Sequence, residues 1–232
     1  MAIIEVDDVT YQYVSKYHTV EALKSVSTSF ERERYYAIQG PSGSGKTTLL
    51  SLIALLDLPT KGEIIYDGIP VSKINPAGHR RKNVAVIYQS LNLLPQLTVA
   101  ENVMYPMELN KIKSKEAGKR AHELIETVGL TDSEFSRFPH MLSGGQQQRV
   151  AIARALGTPA KVILADEPTG NLDGENSRII SSLLKNLAHE KGYCVIVATH
   201  DDGVASQADE ILYITDGKIE QSRKEQTPLL VQ

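Results

Sequence analysis

The sequence predicts an α/β fold with a mainly parallel core sheet, an N-terminal antiparallel β layer and an inserted helical region. Three observations carry this. Short apolar runs, Tyr35 to Gln39, Val84 to Tyr88, Val162 to Ala165 and Cys194 to Thr199, each stop abruptly at a polar or glycine-rich turn, as buried strands do. Helical patterns separate these runs, so the economical arrangement is a parallel sheet covered on both faces. The first thirty residues differ: Ile4, Val6 and the stretch Val20 to Phe30 read as half-buried strands, as does Glu63 to Tyr66 ahead of the Asp67-Gly68 turn.

Between Thr98 and Leu130 the pattern becomes helical. Thr98 and Glu101 have the spacing of a capping box, Ala117, Ala121, Leu124, Ile125 and Val128 share one face, and Gly129 is placed to stop the run. The chain, 1–232, reads as a single domain with a helical subdomain near 90–160. The polar tail after Lys218 reads as a frayed terminus.

A chain of 232 residues can bury a proper core without disulfides. Its one cysteine, Cys194, sits in an apolar run and reads as a buried thiol in a reducing compartment. With 25 basic and 28 acidic residues, the net charge of -3 gives no field for collecting nucleic acid, so no nucleic-acid partner is expected. The opening MAIIEVDDVTYQY carries acidic residues where a secretory signal would be positive, and it lacks an apolar stretch. No window approaches the roughly 20 apolar residues that cross a bilayer, so a membrane role must come through a partner.

Gly40-Pro41-Ser42-Gly43-Ser44-Gly45-Lys46-Thr47 matches the P-loop pattern G-x-x-x-x-G-K-[ST], directly after the Tyr35 to Gln39 strand and before the apolar helical run Thr48 to Leu56. Glycines at 40, 43 and 45 let the backbone turn tightly enough to aim consecutive N–H groups at phosphate oxygens, and the following helix offers its positive end to the same anion. Lys46 is then placed for the β- and γ-phosphates and Thr47 for Mg²⁺. A glycine-rich turn that merely looks alike is the bland alternative, made poor by the flanking strand and helix. The loop alone does not choose among GTPases, kinases, helicases and transporters.

Val162 to Glu167 is an apolar strand delivering two adjacent carboxylates at its carboxyl end, where open α/β sheets place ligands. This is a Walker B pattern: Asp166 suits Mg²⁺ through its water shell, and Glu167 suits the water that attacks a γ-phosphate. In isolation the pair would read as acidic residues capping a turn. His200 ends the Cys194 to Thr199 strand at the same sheet edge and is a candidate γ-phosphate contact. His18, His79, His122, His140 and His189 read as surface or satisfied core residues.

Leu142-Ser143-Gly144-Gly145-Gln146 precedes another helical run, Gln147 to Leu156. Alone it could be an ordinary helix cap, although a serine and two glycines at a helix start also suit a phosphate. In chain order with the P-loop, the Walker B pair and His200, it resembles the ABC ATPases, and the resemblance covers nearly the whole chain. It implies the P-loop NTPase fold of an ABC nucleotide-binding domain, ATP and Mg²⁺ as cofactors, and ATP hydrolysis with Glu167, His200, Lys46 and Gln89 in catalytic roles. ATP contacts fall to Gly40, Pro41, Ser42, Gly43, Ser44, Gly45, Lys46, Thr47, Thr48, Gln89, Ser143, Gly144, Gly145, Gln146, Asp173 and His200. Tyr13 matches the aromatic that stacks on adenine, with Tyr11 the competing candidate. Mg²⁺ falls to Thr47, Gln89 and Asp166. Gln89 also matches the glutamine of a loop that senses a membrane partner, and Asn171-Leu172-Asp173 matches the D-loop that communicates across a dimer.

The same resemblance implies a head-to-tail homodimer in which the LSGGQ of one copy closes over ATP held by the other, driving an integral membrane permease at the cytoplasmic face of the membrane. Leu56 to Gly62, Leu93 to Val103 and Ala165 to Asp173 look like the MacB, LolD and bacitracin-exporter-like group. That group implies a permease with an extracytoplasmic domain and export, extraction or sensing of peptides, lipids, lipoproteins or antibiotics; a permease used for mechanical signalling is the alternative. Leu91, Leu93 and Leu94 are candidates for gripping the permease or, equally, for core packing. A DNA-repair, chromosome-structure or translation ATPase is disfavoured by the single cassette without sustained heptads, and a P-loop kinase or GTPase by LSGGQ and His200. Glu33-Arg34 departs from the usual Gly-Glu before the P-loop strand, which puts that turn's geometry in question.

Overall fold

The computed structural model describes residues 1–224. Two sheets form the frame. An antiparallel sheet contains β1 (Ala2–Val14), β2 (Thr19–Glu31), β4 (Lys61–Tyr66) and β5 (Ile69–Pro70) in the order β2-β1-β4-β5. The second sheet contains β3 (Tyr35–Gln39), β6 (Val84–Ile87), β7 (Val162–Asp166), β8 (Cys194–Thr199), β9 (Glu210–Thr215) and β10 (Lys218–Lys224) in the order β10-β9-β3-β8-β7-β6. Its strands run parallel except β10, which pairs antiparallel with β9. The four apolar runs of the sequence are therefore the adjacent strands β3, β8, β7 and β6.

Residues two apart along a strand point to the same face, and the chain uses this to build two cores. Tyr35, Ala37, Ile163, Ala165, Val195 and Val197 pack on one face, against the helices α3 (Val99–Leu109), α4 (Ser114–Thr127), α6 (Gly144–Leu156) and α7 (Gly174–His189). Tyr36, Ile38, Val162, Leu164, Ile196 and Ala198 pack on the other, with α1 (Lys46–Ile53) and the antiparallel sheet. All six residues of β8 are buried. Each large apolar side chain so removed from water contributes about 1.5–3 kcal/mol, against about 1–2 kcal/mol to fix a residue's backbone. This strand is therefore secure without help from propensity.

Thr98 and Glu101 form the reciprocal cap of α3. Ala117, Ala121, Ile125 and Val128 are buried, with Leu124 partly so, and Gly129 ends the helical run at φ +72°. The run is broken between α3 and α4, where Lys111 takes φ +66°. A short α5 (Asp132–Phe135) precedes α6, and α2 (Pro76–Lys82) and α8 (Asp202–Ala205) lead into β6 and β9. No helix of the described residues is long and apolar enough to cross a membrane.

One expectation needs correction. The tail after Lys218 does not fray at once: residues 218–224 are β10, whose Lys218 and Ile219 pair with Thr215 and Ile214. The cause is the Asp216-Gly217 turn, in which both residues have positive φ, the geometry of a tight hairpin. The rest of that tail lies outside the described residues. The turn into β3 keeps left-handed geometry without glycine, because Glu33 itself takes φ +60°.

Cys194 is buried, and burial pushes its thiol up to about 12. His79 is a satisfied core residue: its Nε2 lies 3.0 Å from the Ile53 carbonyl oxygen and its Nδ1 3.2 Å from Asn83 Nδ2. His189 pairs with Asp209 at 2.9 Å.

Candidate functional site

The P-loop joins the end of β3 to α1, and its backbone is shaped by contacts that its sequence permits. Gly43 and Gly45 take φ +78° and +114°. Gly45 is the N-cap of α1, and Leu49 N–H donates to its carbonyl at 2.9 Å. The far side is held by the β9–β10 hairpin, whose Gly217 N–H donates to Ser44 O at 2.9 Å. Lys46 folds back over the loop, its ammonium donating to the Gly40 and Pro41 carbonyls at 2.8 and 2.9 Å. Ser44 Oγ is buried without a hydrogen-bond partner. Pro41, Ser42 and Thr47 are exposed along the rim, and Thr48 is buried behind it.

Parallel pairing of β3, β8 and β7 brings three strand ends to the same edge, and the charged candidates meet there. Thr47 Oγ1 donates to Asp166 Oδ1 at 3.1 Å. Burial raises the Asp166 carboxyl above its usual range and the neighbouring charge of Glu167 adds to this, while the Thr47 hydrogen bond and Lys46 pull the other way. One residue on, Glu167 takes φ +47°, a left-handed conformation that a side chain adopts at a cost of about 1–2 kcal/mol. Its N–H is anchored on Ala198 O at 2.9 Å, and its Oε1 accepts from His200 Nδ1 at 2.9 Å. Glu167 is 15% exposed and His200 66%, so the pair is a shielded carboxylate under an open imidazole. The Gln89 amide lies against Gly170, where an added methyl group would meet Nε2 at 3.2 Å.

A raised carboxyl pKa fixes the sign of its effect on stability. The contribution of Asp166 to folding is fully present below the unfolded-state pKa and is lost as pH rises through the higher folded value. At neutral pH its charge therefore weakens the fold. Asp166→Asn is expected to raise the urea midpoint of the chain at pH 7, with the gain shrinking towards pH 4. Urea melts at the two pH values check it.

A second cluster surrounds LSGGQ. Ser143 caps α6, its Oγ accepting from Gln146 N–H at 3.3 Å while Gln146 Oε1 accepts from Ser143 N–H at 3.0 Å. Gly145 packs so tightly on Asn176 that a methyl group there would fall 2.2 Å from its Oδ1. Asp173, the N-cap of α7, holds Asn176 through the backbone N–H at 2.8 Å and the side-chain amide at 2.9 Å. Asn176 is a residue that the sequence reading did not single out. The three-residue spacing from Asp173, that of an N-cap and its N3 partner, was the available signal. Among the described residues, no hydrogen bond or ion pair joins Ser143, Gly144, Gly145 or Gln146 to the P-loop.

The two aromatic candidates are separated by burial. Tyr11 is 7% exposed with its hydroxyl on the Asp57 carboxylate, whereas Tyr13 is 51% exposed beside the P-loop, its hydroxyl 3.3 Å from Thr48 Oγ1. Leu91, Leu93 and Leu94 are all partly buried, with Leu93 packed on the helical core. Leu91 and Asn92 both have positive φ, and Arg154 of α6 donates to their carbonyls at 2.8 and 2.6 Å.

Comparison with known proteins extends this picture. The family model described as ABC transporter matches residues 23–170. An uncharacterized ABC transporter ATP-binding protein of Methanocaldococcus jannaschii is 46% identical over 201 residues, covering 85% of this chain and 89% of that protein. The macrolide export ATP-binding/permease protein MacB of Neisseria gonorrhoeae is 40% identical over 94% of this chain, which spans only 34% of MacB. Among solved structures, the dimeric ABC transporter cassette MJ0796 superposes with a TM-score of 0.89 at 39% identity, covering 97% of this chain and 99% of that one. A post-hydrolysis dimer of the same cassette bound to ADP and Pi is equally similar, with a TM-score of 0.89 at 38% identity.

Proposed function

This chain belongs to the ABC transporter family as an ATP-binding ATPase, and from that premise we propose that two copies form a composite ATP site which drives a separate membrane permease. The observation that carries the reading is the separation of two half-sites on one chain: a P-loop edge with Thr47, Asp166, Glu167 and His200, and a capped LSGGQ start braced by Asp173 and Asn176. Each is built to hold phosphate, and a second copy supplies the missing half to each. The dimeric form of the similar cassette MJ0796 supports this.

In this reading the Lys46 ammonium leaves the Gly40 and Pro41 carbonyls for the β- and γ-phosphates, and the N–H groups at the start of α1 hold the same charge. Tyr13, the exposed aromatic, stacks on adenine. Glu167 orients the attacking water and accepts its proton, while His200 fixes that carboxylate from one side and contacts the γ-phosphate from the other. Ser143 of the second copy closes over the γ-phosphate, so closure follows the nucleotide state.

Mg²⁺ fits the residues present. Thr47, Gln89 and Asp166 offer only oxygen ligands to a hard cation, and a half-buried carboxylate whose charge is poorly solvated favours a positive neighbour. Such an ion takes most of its ligands from phosphate and water. When bound, Mg²⁺ neutralises phosphate charge.

Residues 90–160 act as the helical subdomain, and the permease docks beside it at the cytoplasmic face of the membrane. A cavity of about 340 Å³ there is lined by Arg80, Asn92, Leu94, Tyr105, Leu109 and Arg154, with Tyr105 and Leu109 partly open to solvent. Similarity to MacB, a macrolide export ATP-binding/permease protein, supports a permease partner; in this reading the permease has an extracytoplasmic domain and serves export, extraction or sensing of peptide, lipid, lipoprotein or antibiotic. The test is kinetic: at low chain concentration, release of free phosphate from Mg-ATP should rise with the square of chain concentration. A strictly linear rise would place a complete site on one chain, and transfer of phosphate to an acceptor would point to a kinase.

A further inference from the structure

Tyr13 divides two cavities. It lines one of about 300 Å³ with Gly45, Lys46, Thr47 and the β9–β10 turn, and a smaller one of about 180 Å³ with Tyr11, Thr48 and Asp57. The first belongs to the nucleotide reading above. The second is smaller than the about 300–1,000 Å³ typical of ligand pockets, and its walls are tied together. Tyr11 and Tyr13 lie two apart on β1 and so share a face. Their rings meet edge to face, with centroids 4.9 Å apart and planes at 86°. Tyr11 is buried, its hydroxyl bonded to the Asp57 carboxylate, and Asp57 is itself fixed by accepting from Leu58 N–H at 2.8 Å. On its other side Tyr13 reaches Thr48, next to the P-loop threonine.

We propose that the Tyr11–Asp57 pair is a positioning device that sets the ring plane of Tyr13, and through it the base-dependent part of nucleotide affinity. This rests on Tyr13 being the adenine platform. An exposed tyrosine on a strand edge swings freely about its side-chain bonds; a stacking platform that must be ordered on binding loses affinity to that entropy. Tyr11 removes the freedom beforehand. The Asp57 bond in turn keeps Tyr11 from rotating, and, with burial, it pushes the Tyr11 phenol up to about 12.

The test compares ADP with inorganic pyrophosphate, which shares the phosphates and lacks the base, by calorimetry on the full chain. Tyr11→Leu should raise the ADP Kd about three- to tenfold, the worth of one aromatic pair, and leave the pyrophosphate Kd unchanged. In turnover the KM for ATP should rise with kcat within about twofold. Tyr11→Phe, which keeps the packing and removes the donor, and Asp57→Leu, which removes the acceptor, should give a smaller shift of the same kind, and Tyr11→Leu should add nothing once Tyr13 is Ala. Equal loss of ADP and pyrophosphate, or full additivity with Tyr13→Ala, would show a merely structural role and overturn the proposal. If Tyr13→Ala weakens ADP and none of the Tyr11 variants does, the platform stands and the positioning role fails. If Tyr13→Ala weakens nothing, both fail.

Discussion

Glu167→Gln is expected to cut ATP turnover by about 10²–10⁴-fold, the usual worth of a positioned general base, while ATP stays bound and an ATP-held dimer accumulates. The substitution is nearly isosteric. Its amide oxygen still accepts from His200 Nδ1, and the backbone anchor on Ala198 O does not involve the side chain. The left-handed backbone of Glu167 is therefore kept, and what disappears is the charge that draws a proton from water. Losing that charge also removes repulsion between the carboxylate and a γ-phosphate, which favours the closed state. Phosphate release and light scattering with ATP measure the two effects on one sample. Turnover at the parental rate would overturn the catalytic role proposed for Glu167.

Gly45→Ala should be a severely damaging single-methyl change in the phosphate cradle, because strain and crowding act there together. At φ +114° the residue lies where L side chains rarely go, and the new Cβ would stand 2.6 Å from Ala22 O and 2.9 Å from Leu23 Cδ2. Strained backbone costs about 1–3 kcal/mol and overpacking about 1–3 kcal/mol more. A loss of about 2–6 kcal/mol would lower Tm by about 4–24 °C in a domain of this size. Because Gly45 is also the N-cap of α1, the distortion falls on the N–H groups proposed to face phosphate, so ADP affinity should fall at least about tenfold. Gly43→Ala is the control: its φ is +78° but nothing lies within 4 Å of the new Cβ. It should show the strain alone, about 1–2 kcal/mol. Matching urea midpoints and ADP affinities for the two variants would refute the steric account.

What was legible in the sequence is what rests on pattern and spacing. The four apolar runs became neighbouring parallel strands, because buried strands leave an uninterrupted apolar signal. Strand ends carry chemistry, so Asp166, Glu167 and His200 could be placed at one edge from their positions alone. What was not legible depends on pairings between distant residues or on backbone conformation against type. Arg154 holding the Leu91 and Asn92 carbonyls spans more than 60 positions and has no local sign. Asn176 against Gly145 needed the packing of α6 on α7. Glu33 and Glu167 take left-handed angles that their residue type disfavours, held there by the surrounding fold. β10 was missed for a simpler reason: its polar residues outweighed the Asp216-Gly217 turn that announces the hairpin.

The strand order of the core sheet bears on how the protein is made. β3, which carries the P-loop, lies between β8 and β9, both drawn from residues 194–215. Gly40 backs directly onto Ile214, and Ser44 is held by Gly217. A ribosome that has finished the P-loop has therefore built none of the strands that flank it. Pairings of such long sequence separation form late and slowly. The nascent chain should stay unable to hold nucleotide until those last strands emerge, with β3 as an unpaired apolar edge that chaperones must cover in the meantime.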